Sequence, residues 1–196
     1  CNDASLNEES GEIVGEPTES ALVRYALKGG KSKNRLESQM PRVAEAPFDS
    51  VRKMMSTIHR RQDGKFIQFT KGAPDELLKK CSYMLSESGV VELTETLRQQ
   101  IMQVNKNMAN KALRVLGAAM KETDGLPSDI SPENIETGLT FVGLMGMIDP
   151  VRPEVTAAIE KCRRAGIRPI MITGDHIDTA KAIAMELGII SDESQA

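Results

Sequence analysis

At 196 residues, with 25 basic and 28 acidic side chains and a formal charge of −3, the chain can bury a core in one large domain or two small ones, two being favoured. That near balance excludes any bulk electrostatic case for a nucleic-acid or membrane-surface binder, so ligand choice has to come from local sites. Three separated cysteines, Cys1, Cys81 and Cys162, form no CxxC pair and argue against a disulfide framework or a zinc site, which fits a reducing, cytosolic setting.

The opening "CNDASLNEES" has neither an initiator methionine nor the parts of a signal peptide, as expected of a soluble segment cut from a longer protein. "GEPTESALVRYALKGG" reads as a helix, with Pro17 and Glu19 in its first turn, Leu22, Tyr25 and Ala26 on one face, and Gly29-Gly30 as terminator. The polar "KSKNRLESQMPR" reads as beginning in a loop. Between residues 51 and 71, "VRKMMSTIHR" and "KFIQFTK" flank Arg61-Gln62-Asp63-Gly64, and Asp-Gly between alternating runs predicts an antiparallel hairpin.

In the second of those strands, alternation puts Ile67, Phe69 and Lys71 on one face. Gly72 removes a side chain beside Lys71, and Pro74 is preset for the first position of the helix "PDELLKKC". Ala73 offers no capping oxygen, which leaves first-turn N–H groups for water or a ligand. Residue types alone leave two readings open for Lys71: a surface lysine beside a helix start, or a cation at the mouth of a pocket for an anionic or polar-aromatic ligand.

Leu97, Ile101, Val104 and Met108 then recur at helical spacing, "RVLGAAMKE" reads as a strand and "TDGLPSDISPENIETG" as a loop. Beyond Gly138 the apolar "LTFVGLMGMI" is too short for the roughly 18 residues of a membrane span. With "RPEVTAAIEKCRRAG", "IRPIMIT" and "HIDTAKAIAMELG" it alternates strand, helix, strand, helix, the pattern of a parallel sheet covered on both faces. Asp149 and Asp175 fall just past the predicted strands, where open parallel sheets bind ligands. Thr173, Gly174 and Asp175 could hold a phosphoryl oxygen at a strand-to-helix turn, or Asp175 could simply cap the helix. Pro150 and Pro153 make "DPVRP" a rigid connector, so Asp149 and Arg152 read first as hinge and salt-bridge residues.

Six stretches in order, "GEPTESAL", "PFDSVRKMMS", "KGAPDELL", "ALRVLG", "MIDPVRPEV" and "MITGDHIDTA", resemble the large cytoplasmic loop of a P-type cation-transporting ATPase, most similar to bacterial relatives of calcium pumps. The resemblance implies an α+β fold, an antiparallel sheet flanked by helices, for a nucleotide-binding domain over residues 1–138. It implies a partial α/β, haloacid-dehalogenase-like phosphorylation domain over 139–196. By position it implies that Phe48 stacks on adenine, that Glu19 lies near the adenine amino group, and that Lys53 and Lys71, with Gly72 beside them, line the pocket. Arg114 is implied to reach the phosphates, Thr173, Gly174 and Asp175 to hold the transferred phosphoryl group, and Asp149 with Arg152 to form the hinge.

The implied ligands are ATP and, in the full-length protein, Mg2+. The implied partners are the other domains of the same pump and a cation carried by a multi-pass membrane domain, with this segment on the cytoplasmic side of the cell membrane. The Asp-Lys-Thr-Gly-Thr motif and the Gly-Asp-Gly-x-Asn-Asp segment occur nowhere in the chain, so it holds no phosphate-accepting aspartate and no metal ligands of that kind. Ser50 stands where animal-type calcium pumps often place another nucleotide-contacting arginine. A haloacid-dehalogenase-type phosphatase with a large cap is the alternative, although no Asp-x-Asp motif is present, and a non-catalytic nucleotide sensor is a third. One structural expectation is specific: Lys53 and Lys71 can face one pocket only if the hairpin closes through an odd loop, Gln62-Asp63-Gly64 between Arg61 and Lys65, or an equivalent bulge.

Overall fold

The computed structural model describes residues 1–111, 113–148, 153–173 and 177–192. Two compact units divide the chain, residues 1–98 with 116–145, and residues 99–115 with 146–196. The first opens with a two-stranded antiparallel pair, β1 (Ser5–Leu6) and β2 (Ile13–Val14), followed by helix α1 (Pro17–Lys28). Proline at the helix start needs no N–H partner, and Gly29 and Gly30 end the helix, Gly30 at a φ of 72° that favours glycine. Val23 is the buried residue of α1 and packs with Ala4, Leu6, Ile13 and Leu27. The expected face of Leu22, Tyr25 and Ala26 is a second, more open side, on which Tyr25 is 76% exposed.

The stretch expected to begin as a loop after α1 has no regular structure at Lys31 and Ser32 and then forms helix α2 (Lys33–Gln39), capped by the Ser32 hydroxyl, which accepts from the Arg35 N–H at 3.3 Å. Strands β3 (Arg42–Asp49), β4 (Met54–Arg60) and β5 (Phe66–Gly72) follow, then helix α3 (Pro74–Lys80) and strands β6 (Cys81–Ser86) and β7 (Gly89–Glu92). Helix α4 (Glu95–Ala109) lies where the spacing placed it, although Val104 of the expected stripe is 50% exposed while Ala109 is buried. Strand β8 (Arg114–Thr123), the short helix α5 (Pro132–Ile135) and strand β9 (Leu139–Met147) complete the sheet-forming chain, with helices α6 (Pro153–Arg164) and α7 (Ile177–Glu186) beyond.

Seven strands form one sheet in the order β3-β4-β5-β8-β9-β6-β7. The pairs around β4, β5 and β8 are antiparallel, whereas β6 and β9 run parallel, so the sheet is mixed within an α+β fold. Residues 167–173, read from sequence as a parallel strand, form no strand: Ile170 and Ile172 are 78% and 94% exposed. An apolar run becomes a strand only where a neighbour takes up its N–H and C=O groups, and none of the described strands does so here.

The central hairpin has the odd loop that its register required. Met55 lies opposite Lys71 and Arg60 opposite Phe66. The Arg61 N–H donates to the Lys65 carbonyl at 2.8 Å and Gly64, at φ 83°, turns back onto the Arg61 carbonyl at 3.1 Å, which leaves Gln62, Asp63 and Gly64 as the loop. Met55, Thr57, His59, Ile67, Phe69 and Lys71 therefore share one face of the sheet. Ser56, Ile58, Gln68 and Thr70 share the other. Among the described residues, no helix is long and apolar enough to cross a membrane.

Candidate nucleotide-binding site

Strand β5 carries Lys71 to its penultimate position with only 8% of the residue exposed. An ammonium this deeply placed needs a counter-charge, and the first turn of α1 supplies one: the Glu19 carboxylate accepts a hydrogen bond from the Lys71 Nζ. The second Glu19 oxygen accepts from the Asp3 N–H at 3.2 Å. Beside this pair, a cavity of about 460 Å³ opens between the sheet and the two first helices, within the range of small-ligand pockets. Lys71, Phe69 and His59 line its sheet side, with Leu22, Tyr25 and Leu36 opposite.

His59 is held at both ring nitrogens, Nδ1 2.9 Å from the Met40 carbonyl oxygen and Nε2 2.9 Å from the Thr57 hydroxyl, with Phe69 edge-on at 5.6 Å. Burial pushes its pKa below the ordinary 6.5, against the opposing pull of the Met40 carbonyl.

Two other expected residues flank the β3–β4 connection, Phe48 at the end of β3 and Lys53 in the turn itself. Phe48 is 64% exposed, its ring free to take a flat partner, and Lys53 is exposed at a φ of 55°. Asp49 builds this turn: its carboxylate accepts from the N–H groups of Arg52 at 2.9 Å and Val51 at 3.0 Å, which holds its pKa below the usual value. The turn is tied to the Lys71 segment by the Ala73 N–H, which donates to the Lys53 carbonyl at 3.0 Å.

Gly72 fits that junction for a steric reason. A Cβ there would lie 2.4 Å from the Met54 Cβ and 2.6 Å from the Lys53 carbonyl oxygen. The following α3 starts at Pro74 with no side-chain cap at Ala73, as the residue types predicted.

Arg114 opens β8 and is exposed, in the second unit, while Glu19, Phe48, Lys53, Lys71 and Gly72 belong to the first. Thr173 is exposed. Gly174 and Asp175 lie outside the described residues, as do Asp149 and Arg152. Neither Phe48 nor Lys53 lines the cavity beside Lys71. No group of three or more His, Cys, Asp or Glu side chains that could hold a metal ion occurs among the described residues.

A second group of residues behind the sheet escaped the sequence reading. Glu136, 1% exposed, accepts from the Ser56 hydroxyl at 2.8 Å and from the Arg52 Nε at 2.9 Å. The Ser56 hydroxyl also meets that of Thr70 at 2.8 Å, and the Gln68 amide donates to Thr70 at 3.0 Å. The available signal was an acid directly after the "SPENI" helix start, in a loop too polar to suggest burial.

These features define an α+β domain that presents a buried lysine–glutamate pair, a cavity and an aromatic-bearing turn on one sheet. The family described as the P-type ATPase cytoplasmic domain N matches residues 1–154, and the chain belongs to that family. The calcium-transporting ATPase 1 of Bacillus cereus is 47% identical over 192 residues, covering 98% of this chain and 21% of that protein. The calcium-transporting ATPase of Bacillus subtilis is 42% identical over 192 residues, 97% of this chain and 22% of the relative. The cation-transporting ATPase pma1 of Synechocystis is 43% identical over 194 residues, 98% of this chain and 21% of the relative. The chain thus spans about a fifth of the length of these relatives.

Proposed function

We propose that this chain is the ATP-holding portion of a P-type ATPase whose full-length form couples ATP hydrolysis, through an aspartyl-phosphate, to transport of a cation. Calcium is the ion favoured by the names of its bacterial relatives. The observation that carries the reading is the Lys71–Glu19 pair at the edge of a cavity, next to the turn that bears Phe48 and Lys53. Phe48 stacks on the purine, Glu19 accepts from its amino group, and Lys71 packs its stem along the base. Lys53 is the second lysine beside the bound nucleotide, and Arg114 meets the phosphates, where charge-assisted contacts are strongest.

In the full-length protein Thr173, Gly174 and Asp175 hold the transferred phosphoryl group, the residues after β9 belong to the phosphorylation domain, and Asp149 with Arg152 forms the hinge. Mg2+ would come bound to the phosphate oxygens and neutralise charge there. The parent spans the cell membrane several times, with this segment on the cytoplasmic side.

Isothermal titration tests the reading. ATP should bind weakly and remain unhydrolysed, and Phe48→Ala should weaken binding about tenfold, as loss of a base–aromatic stack does. Lys71→Ala should weaken it further. Absence of ATP binding, or binding unchanged in the double variant Phe48→Ala/Lys71→Ala, would overturn it.

A further inference from the structure

We propose that Glu136 is a positioning residue of the nucleotide site, acting through Arg52 on the turn that presents Phe48 and Lys53; this assignment rests on the nucleotide-binding reading above. Neither residue touches the cavity beside Lys71. What they touch is the backbone that sets where Phe48 points. The Arg52 guanidinium donates to the carbonyls of Pro47, at 2.5 Å, and Ala46, at 3.4 Å, immediately before Phe48. Asp49, immediately after Phe48, holds the N–H groups of Val51 and Arg52. Phe48 is therefore bracketed on both sides by contacts that converge on Arg52.

Arg52 is in turn fixed by Glu136, whose other oxygen is anchored on Ser56 of β4. A guanidinium makes directional contacts through a planar fork, so a fixed carboxylate on one prong fixes the carbonyls on the other. Elsewhere along this stretch β3 is poorly held: its register against β4 shifts between Ala46 and Asp49, and Pro47 has no N–H to contribute to the ladder. The side chain of Arg52 replaces the missing ladder contacts where the binding turn begins. Glu136 lies 84 residues from Arg52, so the α5 segment controls a binding turn that it does not adjoin in sequence.

A buried ion pair that merely supports the fold would make a different prediction from one that aims the turn, and a double-mutant cycle separates the two. ATP affinity is measured by titration calorimetry for the parent chain, Glu136→Gln and Arg52→Gln, each alone and combined with Phe48→Ala or with Lys71→Ala. Thermal melts establish cooperative folding for each, and Arg52→Lys, which keeps the charge and loses the fork, replaces any variant that does not fold. The expected result is a 3- to 10-fold rise in Kd for Glu136→Gln and Arg52→Gln. That rise should shrink to less than twofold when Phe48 is already alanine and stay in full when Lys71 is alanine. Affinities within twofold of the parent, or an undiminished loss in the Phe48→Ala background, would overturn the assignment while leaving the site itself intact. A parent chain that binds no ATP would instead remove the site, and this assignment with it.

Discussion

Replacing Gly72 by alanine tests how closely the Lys71 strand and the binding turn are fitted together. The added methyl would lie 2.4 Å from the Met54 Cβ, 2.6 Å from the Lys53 carbonyl oxygen and 2.9 Å from the Met54 Cα. Two of those atoms are backbone and the third, a Cβ, is fixed to it, so no flexible side-chain end can yield. Restoring ordinary contact requires β4 and β5 to part by about 1 Å at this point, an overpacking strain of roughly 1–3 kcal/mol. The same movement stretches the 3.0 Å hydrogen bond from Ala73 to the Lys53 carbonyl, worth about 1 kcal/mol net. The sum is about 3 kcal/mol, which for a chain of this length lowers Tm by about 6–12 °C. Gly125→Ala is the matched control, since nothing lies within 4 Å of its Cβ position. Circular dichroism melts with urea titrations measure both, and ATP titration should show weakened binding for Gly72→Ala because the Lys53 turn moves. A Gly72→Ala chain that melts within a degree of Gly125→Ala would refute the steric argument.

Two further outcomes follow from buried charges. Glu19→Ala should cost about 3 kcal/mol, the low end for a broken buried pair, because it strands the Lys71 ammonium; Glu19→Ala/Lys71→Met should recover much of the loss in urea unfolding, and equal stability of the single and double variants would contradict the pairing. His59 is neutral in the folded chain and its pKa there lies below 6.5, so the folded state binds fewer protons than the unfolded one. The stability it contributes is whole above pH 6.5 and falls away as pH drops through the folded value; the urea midpoint should decline less between pH 7.5 and 5.5 in His59→Gln than in the parent, and identical declines would exclude this linkage.

The parts of the molecule that could be read from sequence are those whose causes are local. Asp63-Gly64 between two alternating runs specified the hairpin, and the parity of its loop put Lys71 on the face of Met55, Thr57 and His59. Pro74 after an uncapped Ala73 specified the start of α3. What escaped depends on distant or weak signals. Strand β3 is an edge with mostly half-buried or exposed residues and a proline, so it lacks the alternation that marks a strand. Helix α2 has no buried residue, and its only clear signal is the Ser32 cap. The parallel partner of β6 is β9, more than fifty residues on, which no local pattern encodes. Residues 167–173 erred in the other direction, since apolarity alone says nothing about whether a neighbouring strand is there to pair. Among the site residues, Glu19 was legible as a first-turn acid but its contact with Lys71 was not. Glu136 and Arg52 were hidden because a buried carboxylate in a polar loop becomes visible only with its distant guanidinium in place.

The two ends of the sheet have a practical consequence for all of these measurements. Strand β3 closes one end with a proline, two breaks in register and the charged Arg42, Glu45 and Asp49, while β7 closes the other with four residues. Neither rim offers a long, regular row of free backbone groups on which a second molecule could add a strand. Titrating a weak ligand demands concentrated protein, and the sheet is blunted against the edge-to-edge stacking that would otherwise turn such samples cloudy.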